Sequence, residues 1–268
     1  MFLSYFSITS LLKASLLFFF LSSSLPVYSQ SFTHVHLRSA DPEASAEWYQ
    51  TLFGGELRDF SGGMGSVAYS HGNIATMQDN GLAGSLEGGA IHHFGFAVPN
   101  VPLMLEKAEI MGASIELQPT QGILSNQIAM FRDPWGAKVE LLEHPTYKGI
   151  HHVHIFTTNS SLLRDWFLEI FGGESYPQDD ISDLKIIKYE GIWIHISETD
   201  QAILPSRGRS LDHFGFSVND MDNLVARIRE SGYEPYVIRP ARPGSTTLLM
   251  FFEGMNNIHF EIAQFNAL

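Results

Sequence analysis

The apolar and polar positions of this 268-residue chain alternate between two rhythms, and the pair of rhythms recurs four times. Ser31 to Arg38 sets His34 and His36 against Val35 and Leu37, a period of two that puts both imidazoles on one strand face and the aliphatic side chains on the other. Asp41-Pro42-Glu43 has the form of a helix start, with an aspartate cap, proline in the first turn and an acid near the positive helix end. Trp48, Leu52 and Phe53 supply the buried stripe, and Gly54-Gly55 ends the helix. Strands follow through Ser66–Tyr69 and Ile74–Gln78, with Gly62, Gly63, Gly65 and Gly72 marking turns. The predicted unit is β-α-β-β-β.

After a glycine-rich linker, Asp79 to Ala90, the pattern restarts with a strand over Ile91–Val98 and a helix from about Pro102 to Met111. Strands around Ile115, Ile128–Arg132 and Ala137–Glu143 complete this second unit. His144 to Gly149 joins it to a third, with strand Ile150–Phe156, helix Ser161–Phe171 and strands Lys185–Tyr189 and Ile192–Ser197. The fourth begins at Leu211, runs through a helix at Met221–Ser231 and has Glu261 at the end of its last strand. By parity Phe94, Phe96, Phe214 and Phe216 face the helices as core, and His92 and His151 fall on the face opposite His93 and His152 as structural residues.

The second pair of units repeats the first. His34-Val35-His36 and Trp48 return 118 residues later as His152-Val153-His154 and Trp166 (34 to 152, 48 to 166). His93-Phe94-Gly95-Phe96 returns 120 residues on as His213-Phe214-Gly215-Phe216, and Glu140 is answered by Glu261. Such collinear echoes are the mark of a duplicated module. The domains expected are residues 30–145 and 148–268, each contributing two histidines and a glutamate in the same order.

Residues 1–29 read differently: Lys13, an apolar run from Ala14 to Leu21, then Ser22-Ser23-Ser24-Leu25-Pro26 and small residues before Gln30. That pattern predicts a cleaved export signal and a secreted or periplasmic protein with no membrane association once it is removed. The apolar run is too short to cross about 30 Å of hydrocarbon. With no cysteine, a metal has only imidazole and carboxylate for ligands. A formal net charge of −13 argues against nucleic acid and anionic membrane, which are bound through clustered basic side chains, and leaves a small molecule or a metal as partner. Arg207, Arg209, Arg239 and Arg242 read as solvated loop charge.

Four β-α-β-β-β units in two pairs resemble the vicinal oxygen chelate superfamily, which includes glyoxalase I, extradiol dioxygenases, methylmalonyl-CoA epimerase, fosfomycin-resistance enzymes and bleomycin-sequestering proteins. The resemblance implies an α+β fold of tandem modules, each closing two units into an eight-stranded half-barrel around a divalent cation (Fe, Mn, Zn or Ni), in a monomer or homodimer. It implies His34, His93 and Glu140 as the metal ligands of the first module and His152, His213 and Glu261 as those of the second. Asp133-Pro134-Trp135-Gly136 matches the family's turn before its ligand glutamate, whereas the fourth unit has Glu253-Gly254-Met255-Asn256-Asn257 there. Two imidazoles and a carboxylate leave coordination positions open, which a catalytic site needs, and two adjacent oxygens of a small substrate fit them.

His36 and His154 share the ligand face and read as pocket lining. Aligning Gly72 with Gly191 puts Thr76 and His195 at the family's fourth position, with His195 as the acid/base. The activity implied is glyoxalase-like or dioxygenase-like, although Met130 stands where the extradiol signature has tyrosine. The alternative is a small-molecule-binding protein of the bleomycin-resistance type without catalysis. If one module alone is active, the Asp-Pro-Trp-Gly turn favours the first and His195 the second.

Overall fold

The computed structural model describes residues 30–58, 63–79, 88–176 and 184–267, so the predicted export signal and most of the glycine-rich linker lie outside the described residues. Unit one is β1 (Ser31–Ser39), α1 (Pro42–Phe53), β2 (Glu56–Arg58), β3 (Met64–Ala68) and β4 (Asn73–Gln78). Unit two is β5 (Ile91–Val98), α2 (Val101–Ile110), β6 (Ser114–Thr120), β7 (Ile128–Arg132) and β8 (Lys138–Glu143). Unit three is β9 (Gly149–Thr157), α3 (Ser160–Phe171), β10 (Glu174–Ser175), β11 (Lys185–Tyr189) and β12 (Ile192–Glu198). Unit four is β13 (Leu211–Ser217), α4 (Met221–Glu230), β14 (Val237–Pro240), β15 (Leu248–Glu253) and β16 (His259–Gln264). Each predicted helix forms where its cap stands: Asp41, Asn100, Asn159 and Asp220 all accept a backbone N–H from the first turn through their side chains.

The units pair differently from the sequence expectation. One eight-stranded sheet runs β14-β15-β16-β13-β1-β4-β3-β2 and joins unit one to unit four; the other runs β10-β11-β12-β9-β5-β8-β7-β6 and joins units two and three. The seams are antiparallel, β1 against β13 and β5 against β9. Each half-barrel therefore takes one unit from each repeated module. The modules are instead held together on the helix side, where Trp48 of α1 packs on Phe131 and Trp166 of α3 packs on Phe260. Tyr49 of α1 also donates to the Asp133 carboxylate at 2.7 Å. Phe94, Phe96, Phe214 and Phe216 are buried in this core, as their parity requires. A buried side chain of that size contributes about 1.5–3 kcal/mol, so the aromatic packing outweighs the one inter-unit tyrosine hydrogen bond in holding a module together.

All four seam strands carry a register shift, one before the first histidine and one after the last. Thr33 and Asp212 are the extra residues in one seam, and His151 and His92 in the other. A bulge leaves its extra residue unpaired and bends the strand locally, which cancels the parity that placed His92 and His151 on the far face.

Candidate metal centres

The cross-pairing regroups the six sequence-predicted ligands. His34 of β1, His213 of β13 and Glu261 of β16 meet in the sheet of the outer units, one and four. His93 of β5, Glu140 of β8 and His152 of β9 meet in the sheet of the inner units, two and three. His34 is not brought to His93 or Glu140, nor His152 to His213 or Glu261; the ligand types hold and their grouping by module does not. Gly95 and Gly215 show why these rings interlock. The ring of His152 lies over Gly95, its strand partner, where a Cβ would stand 2.2 Å from it, and His34 lies over Gly215 at 2.6 Å. Any larger residue would push the partner unit's imidazole out of place.

In the outer-unit site, His213 Nε2 is 3.3 Å and His34 Nε2 3.8 Å from Glu261 Oε2, and His36 Nδ1 is 3.0 Å from His213 Nε2. In the inner-unit site, His93 Nε2 is 3.3 Å from Glu140 Oε2 and 3.3 Å from His152 Nε2, which is 3.9 Å from Glu140 Oε1. Metal–ligand bonds of about 2.1 Å set roughly 90–130° apart would hold their donor atoms about 3.0–3.8 Å from one another, so both clusters match the spacing of ligands on one ion. Two imidazole nitrogens of the outer-unit site, His34 Nε2 and His36 Nε2, are buried with no hydrogen-bond partner. An orphaned acceptor or donor is costly to bury, and a cation held with Glu261 would satisfy that of His34 Nε2. The residues present fit a divalent metal.

The histidines expected to line the pockets stand beside the ligands. His36 belongs to the four-donor outer-unit cluster, and His154 groups with His93 and His152. His195 stacks on His152 with ring centroids 4.1 Å apart, and its buried Nε2 has no partner. The expected equivalence of Thr76 with His195 is one residue out. His195 pairs with His154 and Ala75 pairs with His36, so Ala75 is the true counterpart. Thr76 points the other way and donates to the Pro42 carbonyl at 2.7 Å. The turn of unit one is the longer, four residues between the paired Ala68 and Asn73 against two between Tyr189 and Ile192, and it shifted the glycine used for alignment.

The bulge residues are contacts of the candidate ligands that alternation missed. Each sets its side chain on Nδ1 of the histidine that follows: Thr33 Oγ1 on His34 at 3.0 Å, Asp212 Oδ1 on His213 at 2.6 Å, His92 Nδ1 on His93 at 2.8 Å and His151 Nδ1 on His152 at 3.2 Å. Holding Nδ1 fixes the ring and turns Nε2 toward the cluster. Asp212 also accepts from His259 at 2.9 Å and from the Arg38 guanidinium at 2.6 Å, and Tyr236 lies 2.5 Å from the far nitrogen of His259. The signal was present in the sequence, since Thr33-His34, His92-His93, His151-His152 and Asp212-His213 are all adjacent polar pairs in strands that otherwise alternate.

Charge divides the two sites. Burial pushes His34 down to about 4 and His93 down to about 3, leaving the neutral imidazole that a metal binds. Burial also opposes charge on His213, but its hydrogen bonds to Asp212 and Glu261 outweigh that and raise it above the usual imidazole value. Burial acts to raise Glu261, yet the neighbouring His34 and His213 pull it down to about 2. Glu140 has no such compensation, and burial pushes it up to about 7. A cavity of about 440 Å³ opens over the outer-unit cluster, walled by Met64, Met77, Leu249 and Phe251 with Arg239 at its lining.

Residues 31–141 match the Glyoxalase/Bleomycin resistance protein/Dioxygenase superfamily. The chain superposes on the crystal structure of glyoxalase I from Zea mays with a TM-score of 0.73 at 17% identity, covering 88% of this chain and 93% of that one. The superfamily match spans units one and two, and over the whole two-module chain the likeness to glyoxalase I is one of fold. A second structure, from Bacillus subtilis subsp. subtilis str. 168 and provisionally described as a dioxygenase, aligns at a TM-score of 0.66 and 17% identity over 87% of this chain and 84% of that one. At such identity the likeness is one of fold. A search of curated protein sequences returns no match. Among the described residues, no helix is long and apolar enough to cross a membrane.

Proposed function

We propose that the protein is a metal-dependent enzyme of the glyoxalase or dioxygenase type, acting on a small molecule with two adjacent oxygen atoms, and that the outer-unit site is its reaction centre. The observation that carries this reading is the convergence of His34, whose buried Nε2 has no hydrogen-bond partner, with His36, His213 and Glu261 beside a 440 Å³ cavity. His34, His213 and Glu261 hold a divalent first-row cation (Fe, Mn, Zn or Ni). When bound, such an ion supplies Lewis-acid stabilisation of oxygen atoms that gain negative charge, worth several kcal/mol of barrier. Asp212 keeps Nε2 of His213 turned to the cluster. Ala75 leaves the fourth position clear on the cavity side, and His36, with Nε2 free, is the imidazole available to move a proton. In the inner-unit site His195 has the corresponding place beside His152 and His154.

The test is a screen of catechols, α-keto acids and 2-oxoaldehyde adducts with metal-reconstituted protein, with oxygen consumption recorded. Turnover is expected to stop with chelator and with Glu261→Gln, and to persist in Glu140→Gln. Turnover that survives Glu261→Gln, or ligand binding indifferent to chelator with no turnover, overturns the proposal.

A further inference from the structure

We infer that the outer-unit cavity is built for a substrate that carries an anionic group, a carboxylate or its equivalent, in addition to the adjacent oxygens, and that Arg239 is the residue that selects it. This rests on the outer-unit site being the reaction centre.

Arg239 lines the cavity, and with Glu261 it supplies the only full charges among the lining side chains apart from the histidines. Among the described residues Arg239 makes no side-chain hydrogen bond or ion pair, whereas Arg207 is engaged with Glu253 and the face of Tyr236, and Arg38 with Asp212. In a chain with a formal net charge of −13, an arginine that meets none of the carboxylates and borders a cavity is a charge left for a ligand.

Sheet register places it. Glu261 on β16 pairs with Phe251 on β15; two residues along the same face is Leu249, and Leu249 pairs with Arg239 on β14. All four line the cavity, so they share one face of the sheet. Two strand spacings of about 4.8 Å and two residues of about 3.4 Å put the backbone of Arg239 about 12 Å from that of Glu261. Leu249 and Phe251 form the apolar floor between the two polar ends, with Met64 and Met77 across from them. That sequence of surfaces, cluster, apolar floor, guanidinium, fits a small ring or chain with vicinal oxygens at one end and an anion at the other. The planar donor fork of arginine suits a carboxylate, which it binds in a bidentate manner.

Calorimetric binding to the metal-loaded mature chain tests this with two probes of equal size, protocatechuate and its neutral amide, each with and without chelator. The carboxylate is expected to bind about tenfold more tightly than the amide, as a charge-assisted hydrogen bond provides. In Arg239→Gln the ratio of the two dissociation constants should fall toward one, and in Arg239→Lys part of it should remain. The preference should also weaken as salt is raised. Equal affinity for the two probes in the wild type, or a preference that survives Arg239→Gln, overturns the inference while leaving the reaction centre in place, provided chelator still weakens both. Binding of both probes that ignores chelator overturns the reaction centre and this inference with it.

Discussion

At the outer-unit site the bulge in β13 sets Asp212 behind His213; at the inner-unit site the corresponding bulge in β5 sets His92 behind His93. A carboxylate behind an imidazole makes it a stronger base, and His213 is raised although it is buried. An imidazole in the same place gives no such support, and burial takes His92 and His93 each to about 3. The glutamates follow the same division, Glu261 ionised down to about 2 and Glu140 holding its proton up to about 7. Duplication has thus copied the positions of the donor atoms but not their charge. A cation meets an ionised carboxylate in the outer-unit site, while in the inner-unit site it must displace a proton from Glu140 near neutral pH.

The largest effect that can break this comparison comes from pairs of ligand substitutions. His34→Ala with His213→Ala falls within one site, and elemental analysis should find the inner-unit metal intact, with about half of the wild-type content lost if both sites fill. His34→Ala with His93→Ala strikes both sites and should remove nearly all bound metal. If the second pair spares as much metal as the first, the cross-paired sheets do not describe the metal sites.

A second effect is in pH, and the two glutamates should act with opposite sign in the metal-free protein. Glu140 is raised from an ordinary 4.5 to about 7, so the folded state holds the proton more tightly than the unfolded chain, and stability falls as pH rises through that interval. Glu261 is lowered from 4.5 to about 2, so its contribution is present above 4.5 and is lost as pH falls through 2. Each accounts for at most about 3 kcal/mol. Denaturant midpoints measured against pH in chelator should show Glu140→Gln flattening the neutral limb and Glu261→Gln the acid limb. The same limb altered by both substitutions would refute the division.

The smallest effect sharpens the role of the bulge. Asp212→Asn keeps the shape and a hydrogen bond but removes the charge behind His213, and metal affinity at the outer-unit site should fall about 10–100-fold, as loss of such a supporting carboxylate does elsewhere. His92→Asn should change inner-unit affinity less, since no charge is removed. Titration of metal into each variant, with folding checked by circular dichroism, distinguishes this from simple loss of structure; comparable losses in both would mean that the bulges position the rings by shape alone.

Much of this could be read in the chain. Period-two alternation and capped amphipathic stretches placed twelve of the sixteen described strands and the four helices in their order, leaving β2, β10, β14 and β15 unplaced, and the repeat picked out His34, His93, Glu140, His152, His213 and Glu261 on one face of their strands. Those signals are local, because side-chain direction in a strand and a helix is fixed by the backbone within a few residues. Tertiary structure alone decided which units share a sheet. Four units with the same β-α-β-β-β order present seam edges that alternation cannot tell apart, and pairing β1 with β13 rather than β5 is settled by packing across some 180 residues of chain. The same is true of Thr76 and Ala75. A turn two residues longer moves the register by one, and one residue is the whole difference between a hydroxyl tied to the Pro42 carbonyl and a methyl group facing the cavity.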